Sequence, residues 1–291
     1  MILEANAKIN LLLDILGRTD DGYHTVYMVM QSVGIGDRVT VTENGKAGTI
    51  ELTCSNEKLP SDKTNIGWKA AEAFFKATGI KNPGISIDIE KHIPFAAGLA
   101  GGSADAAAVL VGLNRMLGAD LNDRELCRIG LEVGADVPFC IQGGTMLSLD
   151  IGGVLAPLPD VPGDYYVLVK PDQDVNTGKA YAAFDQAHNV RHLRRDEFLH
   201  AIVRGNFEDM YDMVGNVFEQ FVAVDDRVEI KAIIRGTGAE CYCMSGSGPT
   251  IYGIFHTEEE AEACVEALKG KGFENVFLCR PEKEGVKIIE E

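Results

Sequence analysis

At 291 residues, with 46% apolar and 24% charged side chains, the chain is long enough to bury one large core or two ordinary ones. Its 44 acidic against 27 basic residues leave a net charge of −17, which opposes non-specific binding to nucleic acid or to an anionic membrane. No apolar run reaches the roughly 20 residues of a membrane span, and the opening "MILEANAKIN" lacks the basic and apolar regions of a secretory signal.

The seven cysteines have no paired spacing, which predicts reduced thiols in a cytoplasmic protein. Cys241 and Cys243 are one residue apart, not the two of common zinc or redox motifs, so no metal site is expected there.

Leu3, Ala5, Ala7, Ile9, Leu11, Leu13 and Ile15 alternate with Glu4, Asn6, Lys8, Asn10 and Asp14, which predicts a strand with Lys8 and Asn10 on its polar face. "GRTDDGYHT" is a turn, followed by a β-rich region through "TIELTC". Ile66, Ala70, Ala73, Phe74 and Ala77 share a helical face that ends at Gly79. "GISIDIEKHIP" returns to alternation. Helices are predicted from about Ser103 to Leu117 and over "DRELCRIGLEVGA". Prolines 157, 159 and 162 mark a candidate linker.

Beyond the linker, "YYVLVKP" is a buried strand, and "TGKAYAAFDQA", "RDEFLHAIVRG" and "FEDMYDMVGNVFEQF" read as helices. "AECYCMSGSGPTIYGIF" is strand, glycine turn, strand; "EEEAEACVEALKG" is a helix; "VFLCRP" is a last strand. The closing "KEGVKIIEE" reads as a charged, loosely held tail. Strands and helices mix without a βαβ repeat, so two α+β domains are expected.

The most informative stretch is "PFAAGLAGGSADAAA", Pro94 to Ala108. Glycines without Cβ can turn successive N–H groups toward one point, and a helix start adds unpaired N–H groups and a positive dipole end. Such a loop is an anion site, most commonly for phosphate, with Ser103 either capping the helix or offering its hydroxyl to the ligand. Asp105 in the first turn suits the dipole but would repel a phosphate set too close. The alternative is a tight turn that lets the alanine helix pack closely on a sheet. The stretch is neither a Walker loop nor a dinucleotide fingerprint, and the protein-kinase signatures are absent.

These residues resemble the second motif of the GHMP kinases, the superfamily of galactokinase, homoserine kinase and mevalonate kinase. "AKINLLLDILGRTDDGYH" and "IGLEVGADVPFC" resemble one family within it more closely, the 4-diphosphocytidyl-2-C-methyl-D-erythritol kinases of the non-mevalonate isoprenoid pathway, and "SGSGPTIYGIF" resembles the third superfamily motif. The likeness runs in order along the whole chain.

The resemblance implies an α+β, two-domain GHMP kinase fold. An ATP-binding N-terminal domain over 1–158 would resemble the second domain of ribosomal protein S5, and a C-terminal domain over 159–291 would be ferredoxin-like α/β. It implies transfer of the ATP γ-phosphoryl group, with Mg²⁺, to the 2-hydroxyl of a cytidine-diphosphate-linked methylerythritol. Partners would be these small molecules, with no nucleic acid or membrane, and the oligomeric state stays open.

Asp136 would be the base and Lys8 its catalytic partner. Pro94, Ala96, Ala97, Gly98, Leu99, Ala100, Gly101, Gly102 and Ser103 would wrap the ATP phosphates, with Asn65 and Lys91 near the adenine. Asn10, Thr177, Gly246, Ser247 and Gly248 would contact the acceptor, and Tyr23, His24 and Tyr181 would hold its cytosine. No protein side chain is assigned to the metal. Ala100 and Ala104 depart from the Gly and Ser that many members carry, and Ala104 removes a hydroxyl that could touch Mg²⁺.

From the residues alone, Lys8 reads equally as a solvated strand lysine, Asp136 as a helix N-cap ahead of Val137 and Pro138, and Tyr181 as core. A small-acceptor kinase of homoserine or mevalonate type is disfavoured by DGYH, because those acceptors have no base to stack. A non-catalytic ligand sensor is disfavoured by the Lys8–Asp136 pair.

Overall fold

The computed structural model describes residues 1–20, 22–162 and 165–291. Its elements in chain order begin with β1 (Ile2–Arg18), β2 (His24–Glu43), β3 (Ile50–Cys54), α1 (Ile66–Thr78), β4 (Ile85–Glu90), α2 (Gly101–Met116), α3 (Asp123–Val133), α4 (Val137–Gln142), β5 (Thr145–Asp150) and β6 (Val154–Pro157). There follow β7 (Tyr165–Val169), α5 (Thr177–Asp185), α6 (Arg195–Val203), α7 (Phe207–Tyr211), β8 (Gly215–Asn216), α8 (Arg227–Gly236), β9 (Cys241–Met244), β10 (Ile251–Phe255), α9 (Glu258–Gly270), β11 (Val276–Cys279), β12 (Pro281–Glu282) and β13 (Val286–Glu290).

Among the described residues the strands form two sheets. The first runs β13-β1-β2-β4-β3, with β5 and β6 continuing from β2; the second runs β11-β7-β10-β9. The expected helices are anchored by local chemistry. Asn65 accepts the Gly67 N–H at 2.8 Å and starts α1, which Gly79 ends at φ 69°; Asn122 and Glu125 close a capping box on α3. Ala104 and Ala106–Ala108 on α2 are fully buried, and their small size lets the helix lie close on β1 and β2.

The second sheet obeys the period of two. Tyr166 and Leu168 join the core continuous with the first sheet, while Val167 and Val169 face α8 and α9.

Three expectations change. The C-terminal segment is not a loose tail: β13 pairs antiparallel with β1, Ala5 opposite Val286, because β1 would otherwise be an open edge. The stretch read as one helix over "FEDMYDMVGNVFEQF" breaks into α7, β8 and a 3-10 turn. There Gly215 packs against Leu193, and the Asn216 amide donates to the carbonyls of Met244 and Gly246 at 2.7 Å, bonds a continuous helix would forgo. The proline-rich stretch is partly strand, since β6 pairs with β5; Gly163 and Asp164 of that stretch lie outside the described residues.

Candidate active site

A cleft of about 570 Å³ opens where the glycine loop, the middle of β1, the β1–β2 turn, the start of α5 and the β9–β10 loop converge. The glycine loop is fixed to its neighbours by backbone. Lys8 N–H donates to the Leu99 carbonyl at 3.1 Å, which lays the loop across β1. Ser245 Oγ donates to the Gly98 carbonyl at 2.9 Å, and Thr250 N–H to the Ala97 carbonyl at 3.3 Å, which ties it to the β9–β10 loop. A Cβ on Gly98 (φ 75°) would collide with the Ser245 carbonyl oxygen, so the close approach of the two loops requires glycine there.

The start of α2 differs from expectation in one respect. The helix begins at Gly101, its N-cap is Ala100, and no side chain caps it. Ser103 is therefore inside the first turn, lining the cleft rather than capping the helix, and the helix's first N–H groups have no side-chain acceptor.

Ala100 sits in the left-handed region (φ 58°, ψ 26°), which disfavours a side chain. Ala100→Gly is expected to stabilise the protein by about 1 kcal/mol. Thermal or urea unfolding reads this directly, and a loss of stability would mean the loop is not held in this conformation.

Asp136 precedes α4 with its side chain making no capping bond, while Pro138 lies in the first turn of the helix. The N-cap reading of its carboxylate is thus not realised, and the group lies on the cleft, its Oδ2 3.8 Å from Lys8 Nζ. Lys8 is not a solvated strand lysine. Its side chain is 4% exposed, and Nζ donates to Asn10 Oδ1 at 2.7 Å. Asn10 Oδ1 also accepts the Gly246 N–H at 3.0 Å, so one amide oxygen links the lysine to the third glycine motif. Thr177 Oγ1 and Ser247 Oγ are 3.0 Å apart across the cleft.

Tyr181 stacks on His24 with ring centroids 4.5 Å apart and lies edge-on to Phe218 at 5.0 Å. Burial first, and then the nearby Asp136 charge, push its phenol up to about 12, so it stays protonated. The two aromatics touch each other and leave no slot between them. Tyr23 beside them is 61% exposed, and Asp21, the first residue of DGYH, lies outside the described residues.

Two residues expected near the adenine are committed elsewhere. Asn65 caps α1 and donates to the Pro60 carbonyl at 2.7 Å, outside the cleft lining. Lys91 lines the cleft, but its Nζ is clamped between Asp37 and Asp105. Asp37 also accepts the N–H groups of His92 and Ile93, at 2.6 and 2.8 Å, and thereby holds the entry to the glycine loop. Gly248 belongs to the β9–β10 loop behind the lining, and the other expected loop residues, Pro94 to Ser103 and Gly246, stand on the cleft wall. Sequence reading passed over Asp37, Phe218 and Asp185, and gave Ser245 of the third motif no role of its own. Only Asp185, four residues after Tyr181, carried a periodicity signal.

Burial raises the Asp105 carboxyl well above the ordinary range, with Asp37 adding to it against Lys91, and its Oδ1 has no partner among the described residues. The folded chain therefore binds this proton more tightly than the unfolded one, and stability falls as pH rises past about 4. Asp105→Asn should raise the urea midpoint at pH 7, with the gap closing toward pH 4. A lower midpoint at pH 7 would show that the Lys91 pairing outweighs the burial cost.

Residues 65–144 match the GHMP kinases N terminal domain and residues 198–275 the GHMP kinases C terminal domain. A 4-diphosphocytidyl-2-C-methyl-D-erythritol kinase of Clostridium botulinum (strain Alaska E43 / Type E3) is 40% identical over 96% of this chain and 99% of its own length. The chain belongs to the GHMP kinases, in the family of 4-diphosphocytidyl-2-C-methyl-D-erythritol kinases.

A Bacillus mycoides kinase of the same name is 38% identical over 93% of each chain. A crystal structure of a 4-(cytidine 5'-diphospho)-2C-methyl-D-erythritol kinase superposes with a TM-score of 0.77 at 28% identity, covering 97% of this chain and 99% of that one. The homoserine kinase of Cytophaga hutchinsonii shares the fold, with a TM-score of 0.81 at 19% identity over 99% of this chain and 97% of its own. The family explains why two glycine motifs far apart in sequence, at Gly98 and Gly246, meet on one cleft.

Proposed function

We propose that this kinase transfers the γ-phosphoryl group of ATP to the 2-hydroxyl of 4-diphosphocytidyl-2-C-methyl-D-erythritol. The observation that carries the reading is the Lys8–Asp136 pair at 3.8 Å, set on the cleft between a glycine-loop helix start and an aromatic pair.

Asp136 accepts the proton of the attacking hydroxyl as its oxygen bonds to the γ-phosphorus and the bond to the leaving β-phosphate oxygen breaks. Lys8, 3.8 Å from Asp136, holds the carboxylate toward the hydroxyl and offers positive charge to the transferring group. Gly98 to Ser103, with the uncapped start of α2, receive the ATP phosphates. Gly246, Ser247 and Thr177 receive the acceptor's diphosphate side, and Tyr23, His24 and Tyr181 the cytosine.

ATP would enter as its Mg²⁺ complex, the metal neutralising phosphate charge. No group of three or more metal-ligating side chains occurs among the described residues, and Ala104 is fully buried in the core. These residues would fit an ion held mainly by phosphates and water, with the Ser103 hydroxyl and the Asp136 carboxylate on the cleft wall as the protein oxygens that would be available to it. Among the described residues no helix is long and apolar enough to cross a membrane. The chain division near residue 158 is proposed on the same footing: the second sheet lies wholly after it, while β8, β12 and β13 pair into the first.

The test is ADP release with MgATP and each of three acceptors alone: 4-diphosphocytidyl-2-C-methyl-D-erythritol, mevalonate and homoserine. Turnover with the first only is expected. Turnover with a small acceptor lacking the base would return DGYH to a plain turn, and binding without ADP release would favour a sensor.

A further inference from the structure

One helix holds His24 in two directions. Tyr181 and Asp185 lie four residues apart on α5 and so project from one face. The Tyr181 ring lies under the imidazole at 4.5 Å and 28°, and Asp185 Oδ1 is 2.7 Å from His24 Nε2. A carboxylate only accepts, so Nε2 carries a hydrogen and donates it. Arg18 Nη1, on the opposite side of the turn, is 3.5 Å from Asp185 Oδ2. That permanent guanidinium charge answers the carboxylate, so the imidazole need not be a cation to satisfy it. A neutral imidazole protonated at Nε2 has a bare acceptor at Nδ1. His24 stands on the cleft wall with its side chain 12% exposed.

We infer that Asp185 is a positioning residue: it fixes His24 as the Nε2–H tautomer and thereby sets which base the acceptor pocket prefers. The inference rests on the reading that the pocket takes a pyrimidine nucleoside diphosphate. An acceptor at Nδ1 pairs with the exocyclic amino group of cytosine. Against uracil it meets a carbonyl oxygen, and two acceptors are left facing each other. With aspartate replaced by asparagine, the amide can turn either its oxygen or its NH₂ group toward Nε2. The tautomer is then no longer imposed, while Tyr181 still stacks.

The test uses the full chain with ¹⁵N-labelled histidine. The wild type should show a pyridine-like Nδ1 and a pyrrole-like Nε2 for His24, and should bind cytidine diphosphate at least about tenfold tighter than uridine diphosphate. In Asp185→Asn the pyridine-like signal should shift and the preference fall toward unity, with KM for ATP unchanged; Asp185→Glu should restore part of both. Two protonated nitrogens in the wild type, or an undiminished preference in Asp185→Asn, would overturn the inference. The wild-type spectrum decides the tautomer even if the variant fails to fold. Failure of the wild type to bind cytidine diphosphate would overturn the acceptor reading and the base preference with it, and a pyridine-like Nδ1 in that protein would still support the positioning of His24 by Asp185.

Discussion

Asp136→Asn is expected to lower kcat by about a thousandfold while KM for ATP stays within a few-fold. The substitution keeps volume and removes the proposed base. It should also leave folding nearly intact, because the Asp136 side chain makes no capping bond to α4 and is 30% exposed. That separates the roles a carboxylate can play before a Val-Pro helix start: a cap would be felt in the denaturation midpoint, a base in turnover. Lys8 keeps its bond to Asn10 in the variant, so its buried ammonium is not stranded. Steady-state kinetics with the cytidine-linked acceptor, paired with a urea melt, checks both parts. Turnover within a few-fold of the parent would remove Asp136 from the mechanism.

Gly98→Ala should cost about 3 kcal/mol of stability, summing a left-handed backbone penalty and a backbone clash. It should also raise KM for ATP in whatever fraction remains folded. The reason lies outside the loop: the Ser245 carbonyl occupies the space a methyl group would need, and Ser245 Oγ is bonded to the Gly98 carbonyl. Relieving the clash means moving the β9–β10 loop, and with it Gly246 N–H from Asn10. The contrast with Ala100→Gly, two residues away and of opposite sign, makes the pair diagnostic. Unfolding midpoints that move in the same direction for both would contradict the loop geometry.

The expected fold was legible because its signals are local. Alternation marked β1, a helical stripe ending at Gly79 marked α1, and the alanine run marked α2. Errors came where long-range partners decide. The segment at 286–290 carries charges that suit a tail, yet it closes the edge of β1. The helix expected through Gly215 breaks because the Asn216 amide is needed by the β9–β10 loop. Among site residues, most motif members met on one cleft, but Gly248 and the fully buried Asn10, expected to touch the acceptor, lie behind its lining, and Asn65 and Lys91 are held by nearby backbone and by carboxylates. Among the described residues Lys8, Lys91, His24 and Arg18 each face a carboxylate, so these four do not form a free positive patch on the cleft.

By itself, the sequence determined the glycine loop, the helix it opens and the family. These depend on residue identity and on spacing within a few turns or strands. Only the tertiary structure decided that the polar face of β1 is buried rather than solvated, with Asn6, Lys8 and Asn10 at most 3% exposed as whole residues. It alone showed that Asp136 is free of its helix, and that Asp185 grips His24 from a helix more than 150 residues away, at a separation of 161. Burial, pairing and orientation are properties of what the fold brings alongside a side chain, and a single strand's pattern records only which face it will present.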